Sequence, residues 1–151
     1  MSNRTEPGSE RAAGIGHAAP ERMVAAFAIL AWLTVLGVVL QAVWAGEFLG
    51  KAGSGFVQFH QITAYVLVVL SLAAAILAGA QLRHTRPALM WPGIGLFVLM
   101  IIQTGLGQAA SQDGPHALIA AHIPVAMLIM GLSVYLAIAS AWLRRRIAPA
   151  A

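Results

Sequence analysis

The chain has 151 residues, of which 60% are hydrophobic and 9% charged, with a formal net charge of +4 and no cysteine. A water-soluble domain carries about a quarter of its residues as charges, so this balance excludes one and points to an integral membrane protein. Without cysteine there are no disulfides, no thiolate metal sites and no covalently attached c-type haem.

Residues 1–22 hold Arg4, Glu6, Glu10, Arg11, Glu21 and Arg22 among Gly, Pro and Ser. With no apolar core of their own they are expected to form a disordered cytoplasmic tail. A cleavable signal peptide would place a short apolar region earlier and a small-residue cleavage site after it, so the first span reads as an uncleaved anchor.

Four apolar stretches follow, at residues 23–44, 56–82, 89–109 and 116–143. About 20 residues at 1.5 Å each cross a ~30 Å hydrocarbon core, so each stretch can span a bilayer. The second and fourth have length to spare for tilt. The connections are short, at residues 45–55, 83–88 and 110–115. Short links make successive helices antiparallel neighbours, which predicts an all-α, up-down-up-down four-helix transmembrane domain over residues 23–143, with a basic tail over 144–151. Gly53, Ser54 and Gly55 end the first link, Pro87 suits a first helical turn, and Asp113-Gly114-Pro115 forms a turn into the fourth helix. Pro124 lies inside that helix and denies the Ala120 carbonyl its usual partner, so a kink or widened turn is expected there.

Arg4, Arg11, Arg22, Arg83, Arg86, Arg144, Arg145 and Arg146 all fall on one side of this topology, against Lys51 alone on the other. The positive-inside rule then predicts both termini in the cytoplasm of a bacterial cell, with the chain in the cytoplasmic membrane. Trp44 would mark the outer interface, and Trp91 and Trp142 the inner one. Arginines that flank spans are accounted for by topology and leave no basic face for nucleic acid.

Gln41 precedes His60 by nineteen residues, and Gln103 precedes His122 by nineteen. An offset of 62 residues superimposes Gln41 on Gln103, His60 on His122 and Ala64 on Ala126, a pseudo-two-fold repeat of two helical hairpins. Polar and ionisable groups at membrane depth are costly and face the bundle interior. All four lie four to seven residues inside their spans, roughly 6 to 10 Å deep, which predicts one polar layer near the outer side. Ser71, Ser133 and Ser140, in the other half, are expected to return their hydroxyls to their own helix backbones.

Diagonal helices of a bundle lie roughly 12 to 14 Å apart, a separation that suits two imidazoles with a metal between them. Glutamine is a poor ligand for a small transition metal, and the layer has no acidic residue or cysteine. Haem brings four equatorial nitrogens and needs only two axial donors, so the inventory fits a b-type haem on His60 and His122. Gln41 and Gln103 would hydrogen-bond a propionate or the outer imidazole nitrogen. Gly37 and Gly107, four residues from these glutamines, would give the macrocycle room. His116, at the mouth of the fourth helix, is the alternative ligand. His84 and His17 are expected to be solvated, and Met127 and Met130 to pack.

These residues give the chain a resemblance to one four-helix half of the haem A synthases, and to small four-helix bacterial membrane proteins of the same plan. The matching segments are Gln58-Phe59-His60-Gln61, Ala121-His122-Ile123-Pro124 and Gln103-Thr104-Gly105-Leu106-Gly107, within residues 23–143. The family has arginine where this chain has Gln61, and a catalytic glutamate in the first outer loop, for which Glu47 is the candidate here. The resemblance implies a haem-binding scaffold rather than haem A synthesis. The function expected is electron transfer or haem handling, with lipid around the bundle and a partner subunit, a quinone or a periplasmic carrier as redox partner. A cofactor-free accessory subunit or assembly factor, its histidines bonding between helices, is the alternative, and a small transporter ranks after it.

Overall fold

The computed structural model describes residues 7–50, 55–83, 86–111 and 116–147, and all of its regular structure is helical. The helices are α1 (Pro7–Leu49), α2 (Gly55–Leu77, continued by a π-helical turn, Ala78–Leu82), α3 (Pro87–Ser111) and α4 (His116–Ile147). Each is long and apolar enough to cross a membrane. In hydrocarbon every backbone N–H and C=O must be bonded within the chain, which a helix achieves locally.

Packing closes the four helices into a ring. α1 lies against α2 and α4, α3 lies against α2 and α4, and among the described residues neither diagonal pair brings Cα atoms within 8 Å of one another. The fold is therefore the expected four-helix bundle, with α2 and α4 diagonal to one another.

Burial extends the repeat well beyond glutamine, histidine and alanine. Among the described residues the second half buries nine positions: Leu89, Gly93, Leu96, Met100, Ile129, Ser133, Leu136, Ala137 and Ser140. Moved back by 62 residues, all nine fall on buried positions of the first half, pairing for example Phe27 with Leu89, Leu67 with Ile129 and Ser71 with Ser133. The two hairpins thus present the same faces to a common core. The buried hydroxyls behave as their positions require: Ser71 donates to the Val68 carbonyl at 3.0 Å, Ser133 to Ile129 at 2.6 Å, Ser140 to Leu136 at 2.7 Å and Thr34 to Leu30 at 2.8 Å.

Several boundaries differ from the expectations. α1 starts at Pro7, so residues 7–22 are helical rather than a disordered tail. Proline is pre-set for a first helical position, and Glu10, Arg11, Ala12 and Ala13 are good helix formers. The basic segment at 144–147 likewise belongs to α4, where its positive charges complement the helix C-terminus, and Arg146 lies 3.6 Å over the Trp142 ring. α4 continues through Pro124 as one helix. The widened turn occurs instead at the far end of α2, at Ala78–Leu82. Pro87 does open α3. Gly53, Ser54 and Asp113-Gly114-Pro115 lie outside the described residues.

Trp44 is not a lone interfacial anchor. Its ring stacks with Phe56 at 5.9 Å and meets Phe59 at 5.6 Å, fastening α1 to α2 at one end of the bundle. That end is called the Trp44 end below, and the opposite one the arginine end.

Gly37 also packs rather than leaving space. A Cβ there would lie 2.6 Å from Leu67 Cδ2, so the leucine fills the notch that was expected to admit a cofactor. Overpacking against buried Leu67 in Gly37→Ala, about 1–3 kcal/mol, should outweigh the ~1 kcal/mol that alanine gains over glycine within a helix, for a modest net loss of stability. Trimming the neighbour in Gly37→Ala/Leu67→Val should return part of the loss; thermal unfolding in detergent measures both, and equal melting of wild type and Gly37→Ala would refute the contact.

Candidate functional site

Gln41 on α1 and His60 on α2 are joined by two reciprocal hydrogen bonds. The Gln41 amide Nε2 donates to the His60 backbone carbonyl at 2.9 Å, and His60 Nδ1 lies 3.2 Å from the Gln41 backbone carbonyl. A carbonyl only accepts, so Nδ1 carries the hydrogen and, in the neutral ring, Nε2 carries the lone pair. The expectation that a glutamine would hold the outer nitrogen of the imidazole is met in position but not in detail. Its main chain, not its side chain, faces the ring, while the amide clamps the helix that carries the histidine.

The second half repeats the arrangement in a looser form. His122 is the counterpart of His60 in the second half, but its Nδ1 is buried without a hydrogen-bond partner. The His122 ring lies against Gly107, where a Cβ would stand 3.0 Å from Cε1. Glycine at 107 makes room for the imidazole itself. Gly105, by contrast, has open space where its Cβ would be.

His60 and His122 sit on diagonal helices. Gln41 Oε1 and Gln103 Oε1 are buried without a partner, as is His122 Nδ1, and these are the unpartnered buried side-chain atoms among the described residues. Each such atom costs about 1–3 kcal/mol. All three fall in the one layer that the spacing singled out. The amide oxygens can only accept, so whatever completes the layer must offer hydrogen-bond donors, such as water or an un-ionised carboxyl.

No cluster of three or more His, Cys, Asp or Glu occurs among the described residues. Glu47 is exposed near the end of α1 and stands apart from the layer. The side chains of His116, His84 and His17 lie outside the described residues. Sequence reasoning missed the aromatic cluster of Trp44, Phe56 and Phe59, although its components flank Gln41 and His60 and their spacing was available to be read.

Comparison with protein-family models, with curated proteins and with solved structures finds no match for this chain. The fold and the layer therefore define its class by themselves: a four-helix transmembrane bundle with one diagonal histidine pair.

Proposed function

We propose that the chain is a haem-binding membrane protein of a bacterial cytoplasmic membrane, with a single b-type haem held by His60 and His122. The observation that carries this reading is the placement of two imidazoles at equivalent positions of the repeat, on diagonal helices and in one polar layer. The residues fit the group: two imidazoles on diagonal helices, one with Nδ1 held by a backbone carbonyl, a glycine beside the other ring, and buried polar atoms that the protein leaves unpaired. In that orientation Nε2 is the atom offered to iron, and the carbonyl opposite Nδ1 makes the ring a better donor. Haem, when bound, supplies one-electron redox chemistry. The chain's part is to fix both rings, exclude lipid from the layer and set the depth of the centre. Both termini lie in the cytoplasm in this reading, which puts the layer near the outer face.

The reading in which the histidines only tie helices together is favoured by the finished Gln41–His60 clamp. It leaves the His122 counterpart unexplained, because glue that keeps a buried ring nitrogen unpaired stabilises little. A reduced-minus-oxidised absorption spectrum of protein purified from cells supplied with haem separates the two. Sharp b-type bands with one haem per chain are expected, and a colourless protein would overturn the proposal.

A further consequence concerns Gly107. Valine at 107 would force the His122 ring out of place and should cut haem content about 10–100-fold, the usual cost of disturbing a ligand's support. Gly105→Ala should leave it unchanged. Pigment per chain in the two variants checks this, and equal loading would refute the role given to Gly107.

A further inference from the structure

The two hairpins carry the same glutamine and histidine, yet they do not hold the imidazole alike. His60 Nδ1 donates to the Gln41 carbonyl at 3.2 Å, and the Gln41 amide returns a bond to the His60 carbonyl at 2.9 Å. In the second hairpin His122 Nδ1 is buried without a partner. One turn nearer the Trp44 end the hairpins also differ in side chains. The first has Trp44, Phe56 and Phe59, where the offset of 62 places Leu106, Leu118 and Ala121 in the second. The anchored imidazole and the aromatic rings thus occur together, in one hairpin of the two.

The rings lie on the same seam as the bonds. Trp44 follows Gln41 by three residues and Phe56 precedes His60 by four, so each stands within about 60° of its neighbour around the helix, one turn nearer the end. Trp44 stacks on Phe56 at 5.9 Å, and Phe59 meets the two at 5.6 and 6.4 Å. The end turn of the α1–α2 seam is therefore aromatic, and the next turn holds the histidine's bonds. That end turn is the interfacial one. Trp44 stands three residues from the end of the span Arg22–Glu47, and Phe56 is the second residue of the span Gly55–Ala80. Water at this level competes for a main-chain carbonyl and for an imidazole N–H, so a hydrogen bond open to it contributes little. Apolar rings that cover the bond lower the local dielectric and strengthen it.

We propose that Trp44 and Phe56 are positioning residues for His60: they close the α1–α2 seam over the bond from Nδ1 to the Gln41 carbonyl, keep water from it and so hold Nε2 in one direction. At His122 the orientation of the ring rests on its packing against Gly107 instead. With haem bound the two axial ligands are then unequal, and His60, with its outer nitrogen bonded, is the better donor. As a statement about an iron ligand this rests on the haem reading; the hydrogen bond and its cover stand without it.

The test follows the His60 ring proton by NMR in the full chain without haem, with isotope-labelled histidine, in phosphatidylcholine nanodiscs above about pH 8, where imidazoles are neutral. The Nδ1 proton of His60 should give a signal that is missing in His60→Phe and exchanges slowly with solvent. Trp44→Leu/Phe56→Leu gives the first hairpin the residues that the second carries at the same places, so the variant should fold, and its helix content checks that. Exchange of the ring proton should rise about 3–10-fold, the size expected for a lost aromatic pair. Trp44→Phe should keep it slow, and Trp91→Leu, at the arginine end, should leave it unchanged. Should the double variant unfold, Trp44→Leu alone decides the matter in the same way. An unchanged exchange rate in the folded variant would overturn the proposal, and so would an equal rise in Trp91→Leu, which would report general loosening. In haem-loaded protein the double variant should have a raised reduction potential, because His60 becomes a poorer donor to ferric iron. A protected ring proton in a chain that takes up no haem sinks the haem reading alone; a haem-binding chain whose ring proton is indifferent to Trp44 and Phe56 sinks this one alone.

Discussion

Alanine at His60 or at His122 is expected to abolish haem loading, while alanine at His116 leaves it intact. Disturbing only the support of a metal ligand costs about 10–100-fold in affinity, and loss of the ligand itself costs at least as much. The two histidines are not equal in the protein alone, because His60 is engaged with the Gln41 carbonyl whereas His122 Nδ1 is buried without a partner. Removing His60 should therefore also loosen the α1–α2 hairpin and lower thermal stability by about 1 kcal/mol. Removing His122 deletes an unsatisfied group and should cost less. Pigment per chain and melting temperature of the three variants check both statements. Retention of haem in either of the first two would assign the iron to other residues.

Reduction of the haem is expected from one side of the membrane only. His60 lies five residues inside α2, and about twenty residues separate it from the arginine end of that span, or roughly 30 Å of helix. Electron tunnelling falls exponentially with distance, so an electron crossing that depth needs a second centre. Among the described residues the fully buried polar side chains are all hydroxyls, each bonded to its own helix. In vesicles with a known orientation, a membrane-impermeant reductant on the Trp44 side should reduce the haem quickly, and the same reductant on the arginine side should leave it oxidised. A cysteine at Gly50 reacting with an impermeant thiol reagent in intact cells fixes which side faces out. Fast reduction from the arginine side without an added partner would show that the chain conducts across the bilayer unaided.

The spans, their antiparallel order and the pairing of Gln41 with His60 were legible in the sequence because each follows from a strong, additive signal: long apolar runs, short links and a repeated spacing. Ser71, Ser133 and Ser140 were legible for the same reason, since a hydroxyl in a buried helix has its own backbone as nearest acceptor. What was hidden depends on which atom of a residue does the bonding. A glutamine at the right height beside a histidine looks the same in sequence whether its amide or its main-chain carbonyl faces the ring. Gly37 and Gly107 occupy similar places beside the glutamines, yet one admits Leu67 and the other the His122 ring; only side-chain positions separate them. The π-helical turn at Ala78–Leu82 had no proline to announce it, and the prolines inside helices, Pro92 and Pro124, left them continuous.

Every buried position of the second hairpin has a buried counterpart in the first, which means that the first could stand in for the second as a building part. A chain made from the first hairpin joined to itself would keep two histidines at one level of the bundle, because both would come from equivalent places on diagonal helices. It would also carry the Trp44–Phe56 contact twice, on opposite flanks of the bundle. Such a symmetric protein would separate what the common interior demands from what a single outer flank has acquired.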